Sequence, residues 1–200
     1  MNITTDQIKQ LRESTGAGVL ACRKALEECK GDMEKAATLL REQGLAKAGK
    51  RSDRATHDGV LDLYSHGDGR VGVVVEVNCE TDFVARTPVF REFAHEMALQ
   101  IAAVAPIWVN VEDVPEAVIQ EGREKARDKA LADKKPEKVI DRIVEGRMQK
   151  FFEDSCLLEQ TYIRDDSKSV KDLLNETIAK TGENITIRRF VRWTVGEEVD

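Results

Sequence analysis

Hydrophobic positions change their period several times along the chain, and each change predicts an element. Thr4 followed by Gln7 fits a capping box, in which hydroxyl and amide satisfy free backbone N–H groups, and Ile3 and Ile8 sit where a hydrophobic staple would close. Ile8 and Leu11 continue that buried face until Gly16, a residue that adopts the left-handed conformation cheaply and so predicts a stop. A second helix is expected from about Val19 to Cys29, with Ala25, Leu26 and Cys29 inward and Gly31 at its end. Asp32 is placed to cap a third helix, whose face is Ala36, Ala37, Leu39 and Leu40 and whose end is expected at Gly44.

Beyond residue 54 the pattern turns to strands. Gly59–Tyr64 and Arg70–Val77 flank Ser65-His66-Gly67-Asp68-Gly69, a hairpin signal, and Val73-Val74-Val75 reads as a strand covered on both faces or nearly so. Phe90, Phe93, Ala94, Met97, Ala98 and Ile101 then recur at helical spacing, with Thr87 as cap and Pro88 in the first turn. Two charged helices are expected at about Val114–Ala132 and Pro136–Phe152, forming an antiparallel pair about Lys134-Lys135-Pro136. Another helix is expected over Ser169–Thr181, ended by Gly182. Last comes a strand over Ile185–Val195, where Ile185, Ile187, Val191, Trp193 and Val195 alternate and Arg189 is the exception on that face. No tandem repeat is visible.

Charge divides the same chain. Overall, 31 basic against 37 acidic residues leave a net of −6. That mild acidity argues against coating nucleic acid or an anionic membrane by bulk charge. Residues 1–54 carry 11 basic and 8 acidic side chains, a net of +3; residues 55–200 carry 20 and 29, a net of −9. The sign changes at Lys47-Ala48-Gly49-Lys50-Arg51-Ser52-Asp53-Arg54, read as a linker or a frayed helix end. Its alternative reading, a phosphate or nucleic-acid patch, lacks aromatic partners. Two domains are therefore expected: a three-helix docking module with its basic linker over 1–54, and a core over 55–200.

Few chemistries are supported. The longest apolar stretch, Ile101–Val109, is broken by Pro106 and is far short of the about 20 residues of a membrane span. The first residues show no secretory pattern, and Cys22, Cys29, Cys79 and Cys156 form no C-x-x-C pair, so a reducing, cytoplasmic setting is expected. No phosphate-binding loop occurs; Gly67-Asp68-Gly69 opens no helix, and Thr15-Gly16-Ala17-Gly18 follows a helix instead of a strand. His57, His66 and His95 have no metal-ligand spacing and read as surface residues. Cys79 lies beside Glu80 and Asp82, carboxylates that raise a thiol pKa and quiet it. Neither a metal nor a cofactor is expected. The most informative stretch is Cys79-Glu80-Thr81-Asp82-Phe83-Val84-Ala85-Arg86, a connection from a buried strand to the helix beginning at Thr87-Pro88. Its Phe83 either plugs the core or stands out as an aromatic anchor for a partner; pattern alone leaves both open.

Three blocks resemble the bacterial elongation factor Ts family over essentially the full length. They are Leu11-Arg12-Glu13-Ser14-Thr15-Gly16-Ala17-Gly18, continuing through Cys22-Arg23-Lys24-Ala25-Leu26; the stretch from Val75 to Arg86; and Asn184-Ile185-Thr186-Ile187-Arg188-Arg189-Phe190-Val191-Arg192. The resemblance implies an α+β fold, in which a ubiquitin-associated-like three-helix module precedes helices packed on a small antiparallel sheet. It also implies guanine-nucleotide exchange on elongation factor Tu, without nucleotide bound by the factor itself. Thr81, Asp82, Phe83 and Val84 match the residues that disturb the partner's Mg²⁺ site, with Phe83 as wedge and Asp82 helping to displace a helix. Arg12, Val19 and Leu20 match the surface that docks on the GTPase domain; the family often has methionine at the last two positions. The chain matches the short form of the family, which implies a homodimer formed through the sheet-bearing core, and no direct contact with nucleic acid or membrane. A protein-interaction adaptor that acts on no GTPase is the alternative from another class.

Overall fold

The computed structural model describes residues 3–198, and for residues 45–48 the backbone alone. The Lys47 and Ala48 side chains of the expected linker therefore lie outside the described residues. Helices α1 (Thr5–Thr15), α2 (Val19–Glu28) and α3 (Met33–Gly49) come first. The capping box is present: Gln7 N–H donates to Thr4 Oγ1 at 3.2 Å while Thr4 N–H donates to Gln7 Oε1 at 3.0 Å. Gly16 ends α1 at φ 69, and Asp32 caps α3 by accepting from Lys35 N–H at 3.1 Å. Leu11, Cys22, Leu26 and Ala36 are fully buried together, giving the three helices an apolar cluster of their own.

Gly44 does not end the third helix, which continues to Gly49. The reason lies in tertiary packing. A Cβ at Gly44 would sit 3.3 Å from Ala179 Cβ on α8 (Val170–Thr181), so glycine serves here to bring two helices close. Gly16 lies against the Lys180 side chain of the same helix. A cleft of about 370 Å³ opens beside this seam, between the α1–α2 turn, α3 and α8.

Strands β1 (Asp58–His66) and β2 (Val71–Cys79) form the expected hairpin, and β5 (Ile185–Thr194) adds antiparallel to β2, giving the order β1-β2-β5. One face of β2 is packed by α5 (Pro88–Val104), which Thr87 caps and Pro88 opens. Phe90, Met97 and Ile101 on α5 meet Val73, Val75 and Val77 in the main core. Complete burial of side chains this large stabilises by about 2 kcal/mol each.

The alternation expected along β5 fails halfway. Val77 pairs with Ile187 but Glu76 pairs with Arg189, so Arg188 is an extra residue, a β-bulge. One added residue moves every later side chain to the opposite face. Ile185 and Ile187 are buried, whereas Val191 and Trp193 are exposed, and Phe190 packs on the core instead.

The charged helices α6 (Glu116–Ala132) and α7 (Glu137–Ser155) form an antiparallel pair with a third apolar cluster, centred on Ala130, Ile140, Val144 and Met148. A two-stranded ribbon, β3 (Thr161–Tyr162) with β4 (Asp165–Ser169), was not apparent from pattern. Gln100, fully buried on α5, holds it: its amide donates to Gln160 Oε1 at 3.2 Å and to the Thr161 carbonyl at 3.1 Å, and its oxygen accepts from Ile163 N–H at 2.9 Å. Glu96 adds bonds from Tyr162 Oη and Arg164 Nε, both at 2.7 Å. The fold is α+β, with a helical N-terminal module and a small antiparallel sheet. No helix among the described residues is long and apolar enough to cross a membrane.

Candidate partner-binding site

The segment after β2 is not an irregular connection. Asp82–Ala85 forms a single helical turn, α4, ahead of α5. Thr81 is its N-cap, extended at φ −135 and ψ 155, and its Oγ1 accepts from Val84 N–H at 3.4 Å. The same hydroxyl donates to Glu183 Oε1 at 2.7 Å, and Thr81 N–H donates to Glu183 Oε2 at 3.0 Å. Cys79 Sγ donates to the Thr81 carbonyl at 3.2 Å.

Within this turn the inward positions go to Val84, which packs on the main core, and Ala85, which is buried. Phe83 is consequently 80% exposed. The choice left open by pattern is resolved: its neighbours fill the core, and the ring faces solvent. Asp82 pairs with Arg86 across one turn at 2.8 Å, with both side chains accessible.

The turn is tied to the segment leading from α3. Asn184 N–H donates to Glu80 Oε1 at 2.7 Å, and the Asn184 amide, 3% exposed, donates to the carbonyls of Ser52 at 3.2 Å and Arg54 at 2.8 Å. Arg54 reaches the Glu80 carboxylate at 3.3 Å. Glu183 was not singled out from pattern, and Asn184 entered only as the first residue of a family block. Their sequence signal was two polar residues between a helix-ending glycine and a strand.

Arg12, Val19 and Leu20 are exposed on the N-terminal module, at the end of α1 and the first turn of α2. Val19 and Leu20 are 53% and 75% exposed, an apolar pair that the module's own core does not use. The seven candidate residues thus form two sets: one turn beside the sheet, and one surface on the helical module.

Burial, with Glu183 and Asp58 nearby, pushes the Cys79 thiol up to about 11. All four cysteines are free thiols. His95 Nδ1 lies 3.0 Å from Asp62 Oδ2 and His66 Nδ1 lies 2.9 Å from Tyr64 Oη, each at the surface. Among the described residues no group of three or more His, Cys, Asp or Glu is placed to hold a metal.

Comparison with known proteins agrees with the blocks quoted above. Residues 30–197 match the family model described as elongation factor TS. Elongation factor Ts of Thermotoga neapolitana is 58% identical over 198 residues, covering 99% of this chain and all of the relative. That of Thermoanaerobacter sp. strain X514 is 57% identical over 198 residues, covering 99% of this chain and 97% of the relative. That of Coprothermobacter proteolyticus is 57% identical over 197 residues, with 98% and 100% covered. With its exposed aromatic turn, its helical module and this similarity along nearly its whole length, the chain belongs to the elongation factor Ts family.

Proposed function

We propose that the chain is the guanine-nucleotide exchange factor for elongation factor Tu in translation elongation, acting in the cytoplasm. The observation that carries the reading is Phe83, a large aromatic ring held in solvent on a short turn whose other apolar residues are anchored in the core. Exposed aromatics on a rigid support are the side chains that dominate protein interfaces. Phe83 wedges between side chains of the GTPase domain, and Asp82, released from Arg86, helps displace the helix that shapes the partner's Mg²⁺ and phosphate pocket. Thr81 and Val84 hold the turn. Arg12, Val19 and Leu20 dock the ubiquitin-associated-like module on the same GTPase domain.

The action is linkage rather than a covalent step, so the factor needs no cofactor of its own. A protein that prefers the nucleotide-free GTPase weakens GDP by the same factor that GDP weakens it. Each tenfold in that coupling corresponds to about 1.4 kcal/mol. Mg²⁺ neutralises phosphate charge, so dislodging it loosens the nucleotide. The outer sheet face supports a homodimer: Leu63, Val191 and Trp193 lie together there and are exposed in the single chain. Contact with nucleic acid or membrane plays no part in this reading.

Release of fluorescent GDP from elongation factor Tu tests it. The chain is expected to accelerate release in proportion to its concentration until saturation. Release at the spontaneous rate at every concentration would leave the adaptor reading in its place.

A further inference from the structure

A four-residue helix does not sustain itself. Fixing the first turn costs several dihedrals for one hydrogen bond, so α4 depends on anchors outside its own backbone. Val84 and Ala85 anchor its end in the core. At its start the anchor is Glu183, the residue directly after Gly182, which ends α8 in the left-handed conformation at φ 79.

The carboxylate of Glu183 takes both donors of Thr81, the backbone N–H and the hydroxyl. The hydroxyl has a single hydrogen. Committing it to Glu183 leaves an oxygen lone pair facing Val84 N–H, the bond that closes the turn around Phe83. Remove the carboxylate, and the hydroxyl is free to rotate while Thr81 N–H loses its acceptor. The turn then has to be ordered after the helical module has docked, so its ordering cost falls on the later step in which the ring displaces the partner's nucleotide.

We propose that Glu183 is a positioning residue: acting through Thr81, it holds the Phe83 turn in place and so sets the maximal rate at which the partner's nucleotide leaves. This rests on the exchange-factor reading above. Docking by Arg12, Val19 and Leu20 is on separate elements, so the concentration needed for half-maximal acceleration is left to the module.

The test measures fluorescent-GDP release from elongation factor Tu over a range of concentrations, for wild type, Glu183→Ala, Glu183→Gln and Thr81→Val. In parallel, hydrogen exchange is read at the Thr81 amide of the free protein. Glu183→Ala is expected to lower the maximal rate at least tenfold, to leave the half-maximal concentration within twofold, and to speed exchange at Thr81 at least tenfold. Glu183→Gln, which keeps one accepting oxygen, recovers part of the rate. Thr81→Val removes both the hydroxyl bond to Glu183 and the acceptor of Val84 N–H. Combining it with Glu183→Ala is therefore expected to cost less than the product of the two single losses, because Glu183 acts in part through that hydroxyl. A maximal rate in Glu183→Ala within twofold of wild type overturns the inference, as does a loss explained wholly by a higher half-maximal concentration. Should Glu183→Ala fail to fold, Glu183→Gln and Thr81→Val carry the same comparison. If wild type itself leaves GDP release unchanged, the exchange-factor reading has failed and the rate claim with it. The Thr81 amide still reports separately whether Glu183 holds the turn.

Discussion

Trp193 stands opposite Gly72 in the β2–β5 ladder, on the face of the sheet turned away from α5. Gly72 offers no side chain to lie over the indole, and a Cβ built there would meet nothing within 4 Å. The ring is 62% exposed, with Leu63 at 72% on the same face. The β-bulge at Arg188 is what put Trp193 there.

A self-complementary contact would cover that face. Trp193→Glu is expected to shift the solution mass from about twice the single chain to 22.4 kDa, the mass of one chain. Its thermal midpoint at low concentration should stay close to wild type, because the ring contributes little to the core of one chain. Sedimentation equilibrium reads the first quantity and circular dichroism the second. An unshifted mass in the variant would remove the sheet face from the interface.

Phe83→Ala separates function from stability. Truncating a central aromatic anchor costs about 2 kcal/mol or more of interaction, which is roughly thirtyfold in rate or affinity. A side chain this exposed adds little to folding, so the denaturation midpoint should barely move. Fluorescent-GDP release and urea titration on the same preparation give both numbers.

Gln100→Leu should be among the more damaging single changes in the core. Three partners lose their bonds at once, two of them backbone groups of the β3–β4 ribbon. Buried groups left unpaired cost about 1–3 kcal/mol each. We expect a lower urea midpoint together with new protease cleavage within residues 161–169, and cleavage elsewhere first would argue against this placement of the damage.

Alkaline pH should weaken the fold through Cys79. Its thiol titrates near 9 in an unfolded chain and at about 11 in place. The folded state keeps its proton where the unfolded state has lost it, so stability is complete below about pH 9 and falls as pH rises through about 11. Cys79→Ala should flatten that fall in denaturation curves measured between pH 8 and 11. At pH 8, alkylation followed by mass spectrometry should modify half-buried Cys29 well before Cys79.

Local rules made much of the fold legible. Thr4 with Gln7, Thr87 with Pro88, and Gly182 each act within one turn of chain, and each does in three dimensions what its spacing predicts. The departures came from contacts between distant segments. Gly44 looked like a helix stop because nothing in its neighbourhood announces Ala179. The alternation breaks after Ile187 because of an extra residue in one strand, which is visible only against its partner. Gln100 gave no sign that it holds a ribbon sixty residues away. At the site, Phe83 was identifiable as an aromatic in a connection. Its exposure depended on Val84 and Ala85 taking the inward positions, and its anchorage on a carboxylate beyond the end of α8.

The seam between α6 and α7 is closed within the pair, and Lys134 at the turn adopts φ 52 in a short link between exposed helix ends. Such a hairpin can gain or lose whole helical turns without disturbing the sheet or the N-terminal module. Chain length is therefore cheapest to vary there, and a reporter domain inserted after Lys134 would ride on the factor while the Phe83 turn stays as it is.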